Sequence, residues 1–599
     1  MQPSARIAGR RVIATAVAVA AAATALAACG SSSHPTGTAA NPASVVPASA
    51  SVYLGAVVSP EGTLKRNAFA DAKTLTGSRE PFAAIVKALG SAGVLPHLDY
   101  DSEVKPWLGA DAGLFVSSTS GLQALGEALG KSLGGTISVP ALLEAAEQGL
   151  LSAKGAGGAL VLDTSDVQRA RAFVAKLGKE QSAHSASFDS VTYEVDAKGE
   201  AAGIVGRFAV IGSETGLRAV IETHAGGSAL SSSAPYAKLA AQDKPSATLL
   251  GVYVNDEAVA TAASGGEAAG KDGSEAKGAG GAKAGATEAE ASAAGGALEG
   301  TSASDLLDLL PGEPRQAMLS LLPEARALTV EADLLGSSSA TAAKGASASA
   351  SAAKLVGELP SGSWLALGAG EAGAHLEGDL GALDEIASLA GKSLLASFGG
   401  PAIEGLAGKL RAEPAAVERV FGGWAGAAGV FVAGNGLLEL QAGLVLDSSA
   451  PARSRAAVAK LGALLKTAGA SVSPATIAGA EAAESVKVSG LPLALDVGAG
   501  NGRFALGLGP ASVQAALAAE GGLASSQLYK EASSTVGGEP VLLLDVPTLV
   551  GFVEGLGLSE SPSLSGVLPD LRSLGELAGG WQQLGGSITR LHLVLGLAK

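Results

Sequence analysis

The residues that could carry chemistry are few and widely spaced. The six histidines, His34, His97, His184, His224, His375 and His592, form no His-x-His or His-Glu-x-x-His pattern, so the sequence supports no zinc site. Asp99, Asp101 and Glu103 alternate with Tyr100 and Ser102 and could offer oxygens to a hard cation. No glycine stands at the turn position of a calcium loop, and a solvated acidic turn accounts for them better. Arg169 and Arg171 recur as Arg453 and Arg455. Two residues apart on a helix they point to different faces, so they make no single anion site. No Gly-x-Ser-x-Gly elbow or Ser-x-x-Lys nucleophile stands in a strand–turn–helix context. Cys29 is the single cysteine, which rules out an intramolecular disulfide and a thiolate metal site. The expectation is a chain with no catalytic residue, no cofactor and no metal site, and so not an enzyme.

Two stretches are sharper. Arg6, Arg10 and Arg11 precede an Ala/Val-rich run from Val12, and Leu26-Ala27-Ala28 stands before Cys29 and Gly30. A basic start, an apolar run and small residues before a cut describe a secretory signal over residues 1–28. Leu-Ala-Ala-Cys resembles the bacterial lipobox. That resemblance implies diacylglyceryl transfer to the Cys29 sulfur, cleavage before Cys29 and acylation of the new amine. Several acyl chains anchor far more firmly than one, so the expected place is the extracytoplasmic face of the cell membrane. The second stretch, Leu493–Arg503 (LALDVGAGNGR), resembles the glycine-rich first motif of S-adenosylmethionine-dependent methyltransferases. That motif needs a helix directly after its turn. Here Phe504-Ala505-Leu506-Gly507-Leu508-Gly509-Pro510 follows, which reads as a strand, so Asp496–Gly502 is expected to form a hairpin turn.

The elements behind these residues occur twice. Leu160–Gly178 (LVLDTSDVQRARAFVAKLG) and Leu444–Gly462 (LVLDSSAPARSRAAVAKLG) match without a gap. Each reads as a strand, a cap and a helix. Thr164/Ser165 and Ser448/Ser449 are the expected caps, Val167, Ala170, Val174 and Leu177 form one apolar helix face, and Gly178 and Gly462 suit the left-handed residue past the C-terminus. Around this unit, Trp107–Val116 is answered by Trp424–Val432, Gly206-Arg207-Phe208-Ala209 by Gly502-Arg503-Phe504-Ala505, and Tyr236 by Tyr529. Ser190–Asp196 and Ile204–Gly212 read as a two-stranded hairpin, with Asp196 and Arg207 flanking its turn as Asp496 and Arg503 flank the other. The expected fold class is α+β: two tandem homologous repeats, each an antiparallel sheet with helices on one face. The signal, 1–28, leads into a flexible tether, 29–43, and repeat one, 44–335. Within repeat one, residues 261–300 hold almost only Ala, Gly, Glu, Lys and Ser and are expected to be a disordered insert. A Ser/Ala spacer, 336–355, and repeat two, 356–599, complete the chain.

The passage through Pro47, Leu98–Asp101 and Trp107-Leu108-Gly109-Ala110 is similar to bacterial, largely actinobacterial, lipoproteins of the domain-of-unknown-function family 3352. The resemblance implies an exported, anchored α+β protein and brings no functional residues. Formal net charge is −15, which repels nucleic acid and anionic headgroups. Only 4% of residues are aromatic, so the core is aliphatic. The expected partners are the membrane, through the lipid anchor at Cys29, and an apolar or envelope-derived ligand or an envelope protein. Labelled fatty acid fed to producing cells should enter the wild type and not Cys29→Ser; equal labelling of both would remove the anchor.

Overall fold

An apolar run without alternation makes a stable strand only if both of its faces are covered. Leu160-Val161-Leu162 and Leu444-Val445-Leu446 are such runs, and in the structure each lies near the middle of a sheet. The structure, a computed structural model, describes residues 40–76, 100–117, 157–255, 314–336, 339–370, 414–436, 438–489, 493–518, 522–557, 559 and 568–598. Cys29 and the residues expected to form its signal, the 261–300 stretch expected to be an insert, and the apolar stretches near 81–89 and 306–310 lie outside the described residues.

The chain divides into two compact units. One comprises Met1–Leu310, Pro314–Ala325 and Glu331–Leu335; the other comprises Pro311–Glu313, Arg326–Val330 and Gly336–Lys599. The first contains β1 (Val52–Val57), α1 (Gly62–Thr76), β2 (Leu108–Val116), β3 (Gly158–Thr164), α2 (Val167–Glu180), β4 (His184–Phe188), β5 (Val191–Val195), β6 (Glu200–Val205), β7 (Phe208–Ser213), α3 (Glu214–His224), α4 (Ala234–Ala240), β8 (Leu250–Asn255) and β9 (Pro314–Pro323). Strand β10 (Ala327–Gly336) is divided between the units. The first sheet runs β4-β5-β6-β7-β3-β2-β1-β8-β9, antiparallel at every step.

The second unit contains α5 (Ser339–Glu358), β11 (Ser363–Ala369), α6 (Pro414–Phe421), β12 (Ala425–Ala433), β13 (Gln441–Ser448), α7 (Pro451–Thr467), β14 (Ser471–Pro474), β15 (Ala482–Lys487), β16 (Leu495–Gly500), β17 (Arg503–Leu508), α8 (Gly509–Leu517), α9 (Gln527–Val536), β18 (Pro540–Asp545), α10 (Val546–Gly555), β19 (Leu574–Gly585) and β20 (Ile588–Leu597). Its sheet runs β14-β15-β16-β17-β13-β12-β11-β18-β19-β20, again antiparallel. The fold is α+β, as expected.

Helices cover both faces of each sheet, not one face as the sequence suggested. In the second unit Leu446, Val497 and Phe504 point to one side, where they pack with Val458, Leu461 and Leu465 of α7 and with Val420 of α6. Val445 and Ala505 point to the other side, beneath Leu355 and Val356 of α5, Val513 and Leu517 of α8, and Ala532 of α9. In the first unit Leu162, Ala209 and Ile211 face Ala170 and Phe173 of α2. On the opposite side Leu217 of α3 closes over Gly203 of β6. The unbroken apolar runs require this arrangement, since a one-sided sheet would leave every second residue in water.

Several local readings change for physical reasons. The stretch expected as a spacer, 336–355, falls largely within α5, whose Ala352, Ala353, Leu355 and Val356 are buried. Burying each of the last two contributes about 1.5–3 kcal/mol, enough to hold a Ser/Ala-rich segment in place. The segment expected to be a tether through residue 43 is already packed at Pro42 and Ala43. Asp166, not Thr164 or Ser165, caps α2, accepting from the Gln168 and Arg169 N–H groups. In the second unit Ser448 Oγ accepts from the Ala450 N–H, while Ser449 Oγ donates to the Trp424 carbonyl. Residues 190–212 hold three strands rather than two. Pro510, read in the sequence as part of a strand, stands in the first turn of α8, where its missing N–H costs nothing.

Gly178 and Gly462 lie inside α2 and α7 and do not cap them. A Cβ at Gly178 would stand 2.8 Å from Glu194 Cγ on β5, and one at Gly462 would collide with Glu484 on β15. These glycines let helix and strand approach closely. Gly178→Ala should therefore lower stability by about 1 kcal/mol, overpacking outweighing the gain in helix propensity. Adding Glu194→Ala should restore the denaturation midpoint. No recovery in the double variant would return Gly178 to a backbone role.

Candidate functional site

The charged residues with the most organised surroundings sit where the central strands end. Asp163, the last residue of the Leu-Val-Leu-Asp run, is buried, and its Oδ1 lies 2.7 Å from Arg207 Nη2. The Ala110 N–H approaches Asp163 Oδ2 at 3.4 Å, and Thr164 Oγ1 donates to the Arg207 carbonyl at 2.6 Å. Gly109 is required here because a Cβ would run into the Asp163 carboxylate. Asp111 lies nearby, and burial together with the charge of Asp163 pushes its carboxyl up to about 6.

The second unit builds the same corner with different partners. Asp447 is the penultimate residue of β13 and is registered opposite Arg503 of β17. Arg503 Nε stands 3.9 Å from Asp447 Oδ1, its Nη2 pairs with Glu358 at the end of α5, and its Nη1 donates to the Ala516 and Ala518 carbonyls at 3.3 and 3.4 Å. Burial raises the Asp447 carboxyl, and Arg503 opposes that shift. A guanidinium holds its proton at any working pH, so these pairs cannot exchange protons as acid and base. They pin a strand end, a turn and a helix end.

The expected cross-turn pairs are not the ones formed. Asn501 and Gly502 both have positive φ, 51° and 73°, the signature of a two-residue hairpin between β16 and β17. A strand, not the helix of the cofactor motif, follows the turn. Asp496 and Arg503 do lie on adjacent antiparallel strands, but Asp496 is opposite Gly507 and Arg503 opposite Gly500. Asp196 and Arg207 are not a pair at all. Asp196 closes the β5–β6 turn by accepting from the Lys198 and Glu200 N–H groups, while Arg207 occupies the β6–β7 turn.

The remaining candidates are dispersed. His184 opens β4, His224 ends α3 and His592 lies on β20; His34, His97 and His375 lie outside the described residues. Glu103 pairs with Lys176, and its carbonyl accepts the Trp107 indole N–H at 2.6 Å. Trp424 makes the equivalent bond to the Val420 carbonyl, also at 2.6 Å. Arg169 reaches Asp166, Arg453 the Gly423 carbonyl and Arg455 Glu481, so the arginines serve separate places. Among the described residues no group of three His, Cys, Asp or Glu could hold a metal ion, and no helix is long and apolar enough to cross a membrane.

Two carboxyls, one buried and one half-buried, carried no signal in the sequence. Asp71 of α1 is fully buried, and among the described residues neither of its oxygens has a hydrogen-bond partner. Burial, with Glu324 adding to it, pushes its carboxyl up to about 7. Glu576 of β19 faces Asp545 across the β18–β19 ladder, and burial, Glu531 and Asp545 raise it likewise to about 7. For Asp71 the sign follows directly. The folded state favours the neutral acid, so its contribution is intact below about pH 4 and is lost as pH rises through about 7. Asp71→Asn should match wild-type stability near pH 4 and exceed it by about 2–4 kcal/mol at pH 8. Parallel stability–pH curves for the two proteins would refute the burial of a charged group there.

Three comparisons bear on relationships. A family model described as "Protein of unknown function (DUF3352)" matches residues 12–362. No curated protein matches the chain. A solved structure described as "Structure of crystal form I of TP0453" is similar at 8% sequence identity over 50% of this chain and 80% of that chain, with a TM-score of 0.23. A likeness at that score carries no argument about fold or function.

Proposed function

We propose that this chain, which belongs to the DUF3352 family of proteins of unknown function, is an exported lipoprotein of actinobacterial type, acylated at Cys29 and held on the extracytoplasmic face of the membrane. Two homologous domains bind or carry an apolar or envelope-derived ligand there and perform no catalysis. The observation that carries the reading is the use each unit makes of its best charged residues. Asp163 and Arg207 in one, and Asp447, Arg503 and Glu358 in the other, are spent on joining a strand end to a turn or helix. The duplication is supported by the matching strand order within the two units and by Trp107 and Trp424, which make the same indole bond. Pro47 and Pro360 also make equivalent single bridges, to Ala229 and Gly522.

A second reading, an envelope scaffold, is favoured by one observation. In the second unit Leu, Val and Phe side chains fill the helix–sheet layers on both faces. Soluble protein beginning at Ala40 should bind a fluorescent fatty-acid probe at micromolar concentration. Lipid should also copurify with the natively anchored chain and appear in its mass spectrum. No binding and no copurified lipid would replace carriage with the scaffold.

A further inference from the structure

From Asn41 onward the chain is packed against the first unit. Asn41 caps a short turn, Pro42–Ser44, and Ala43, Val45, Val46 and Ala50 are buried. The Ala48 N–H donates to the Ser228 carbonyl at 2.9 Å, the Leu230 N–H to the Val46 carbonyl at 2.8 Å, and the Ser51 N–H to the Val116 carbonyl at 2.9 Å. Pro42 lies over Gly113 of β2, where a Cβ would come within 2.7 Å of the proline ring. Gly113 is registered opposite Val161, and their side of the sheet is the one that α2 does not cover. The strap therefore crosses one face of the sheet, and α2 the other.

Eleven residues stand between Cys29 and Asn41, so twelve Cα–Cα steps join them. Their covalent reach is at most about 40 Å, whatever path they take. A compact body of roughly 170 residues, the described part of this unit, is about 40 Å across, and half its circumference is about 60 Å. A leash of that length cannot pass around the unit, so the strap face cannot point away from the membrane. Charge acts in the same direction. Asn41–Ser51 and Ala225–Leu230 contain no charged side chain, in a chain of net charge −15. An acidic body near a headgroup layer turns its uncharged surface inward.

We propose that the strap surface, Asn41–Ser51 with Ala225–Leu230, is the face the first unit turns toward the lipid bilayer, with α2 directed away from it; the proposal rests on the lipid anchor at Cys29. The test uses the full-length lipidated chain in phosphatidylcholine vesicles carrying a headgroup-attached nitroxide quencher. Acylation occupies the Cys29 sulfur, so a fluorophore can be placed on Ser44→Cys in the strap or on Lys179→Cys at the exposed side of α2. Quenching should be at least threefold stronger at Ser44→Cys, and Ser228→Cys should behave like it. Equal quenching, or stronger quenching at Lys179→Cys, in vesicle-bound protein overturns the orientation alone. Chain that does not partition with the vesicles and takes up no labelled fatty acid overturns the anchor and the orientation with it.

Discussion

Strands β3 and β13 are buried to both sides, and the layers of each unit follow from that. Val445 and Leu446 are neighbours in sequence yet belong to separate cores, one under α5, α8 and α9, the other under α6 and α7. A central strand of this kind cannot stand alone, because each face exposes a row of aliphatic groups worth about 1.5–3 kcal/mol apiece when covered. Helices must close over both sides. The aromatic residues reinforce this where space is largest. Trp424 meets Phe421 and Phe504 at centroid distances of 6.0 and 5.7 Å, and Trp107 meets Phe173 at 5.2 Å.

Burial on both faces leaves little room for charge, and the charges admitted are arranged accordingly. Asp163 and Arg207 pair at a strand end, where the arginine remains partly in water. Arg503 is drawn in further and takes carboxylates from two elements together with two backbone carbonyls. A buried ion pair adds little net stability, but removing one partner leaves a stranded charge. Such pairs fix which strand end meets which turn. Asp71 follows another route: burial, with Glu324 adding to it, pushes its carboxyl toward the neutral form in the fold.

Glycine has a related role. Gly109 makes room for the Asp163 carboxylate, Gly113 for Pro42, and Gly178 for Glu194. At each, a missing side chain sets how closely two layers approach, and a backbone angle is not the reason. The abundance of small residues that resembled spacer composition is thus partly a packing device, and α5 is its longest example.

The sequence by itself determined the pieces whose signals are local. The repeated Leu-Val-Leu-Asp strand with its helix, the β16–β17 hairpin at Asn501-Gly502, and the α+β class were all legible, because turn chemistry and apolar periodicity act over a few residues. DUF3352 membership was legible too, from the passage around Pro47 and Trp107. Tertiary structure alone decided which helices cover which face, which acid met which arginine, and why Gly178 is glycine. Each of these depends on residues brought together from far apart, such as Arg503 and Glu358, separated by 145 positions. The continuous apolar runs did hold one unused signal, since a strand without alternation already implies two covered faces. Asp71 held none: nothing in a lone aspartate on a helix foretells that packing will close over both of its oxygens.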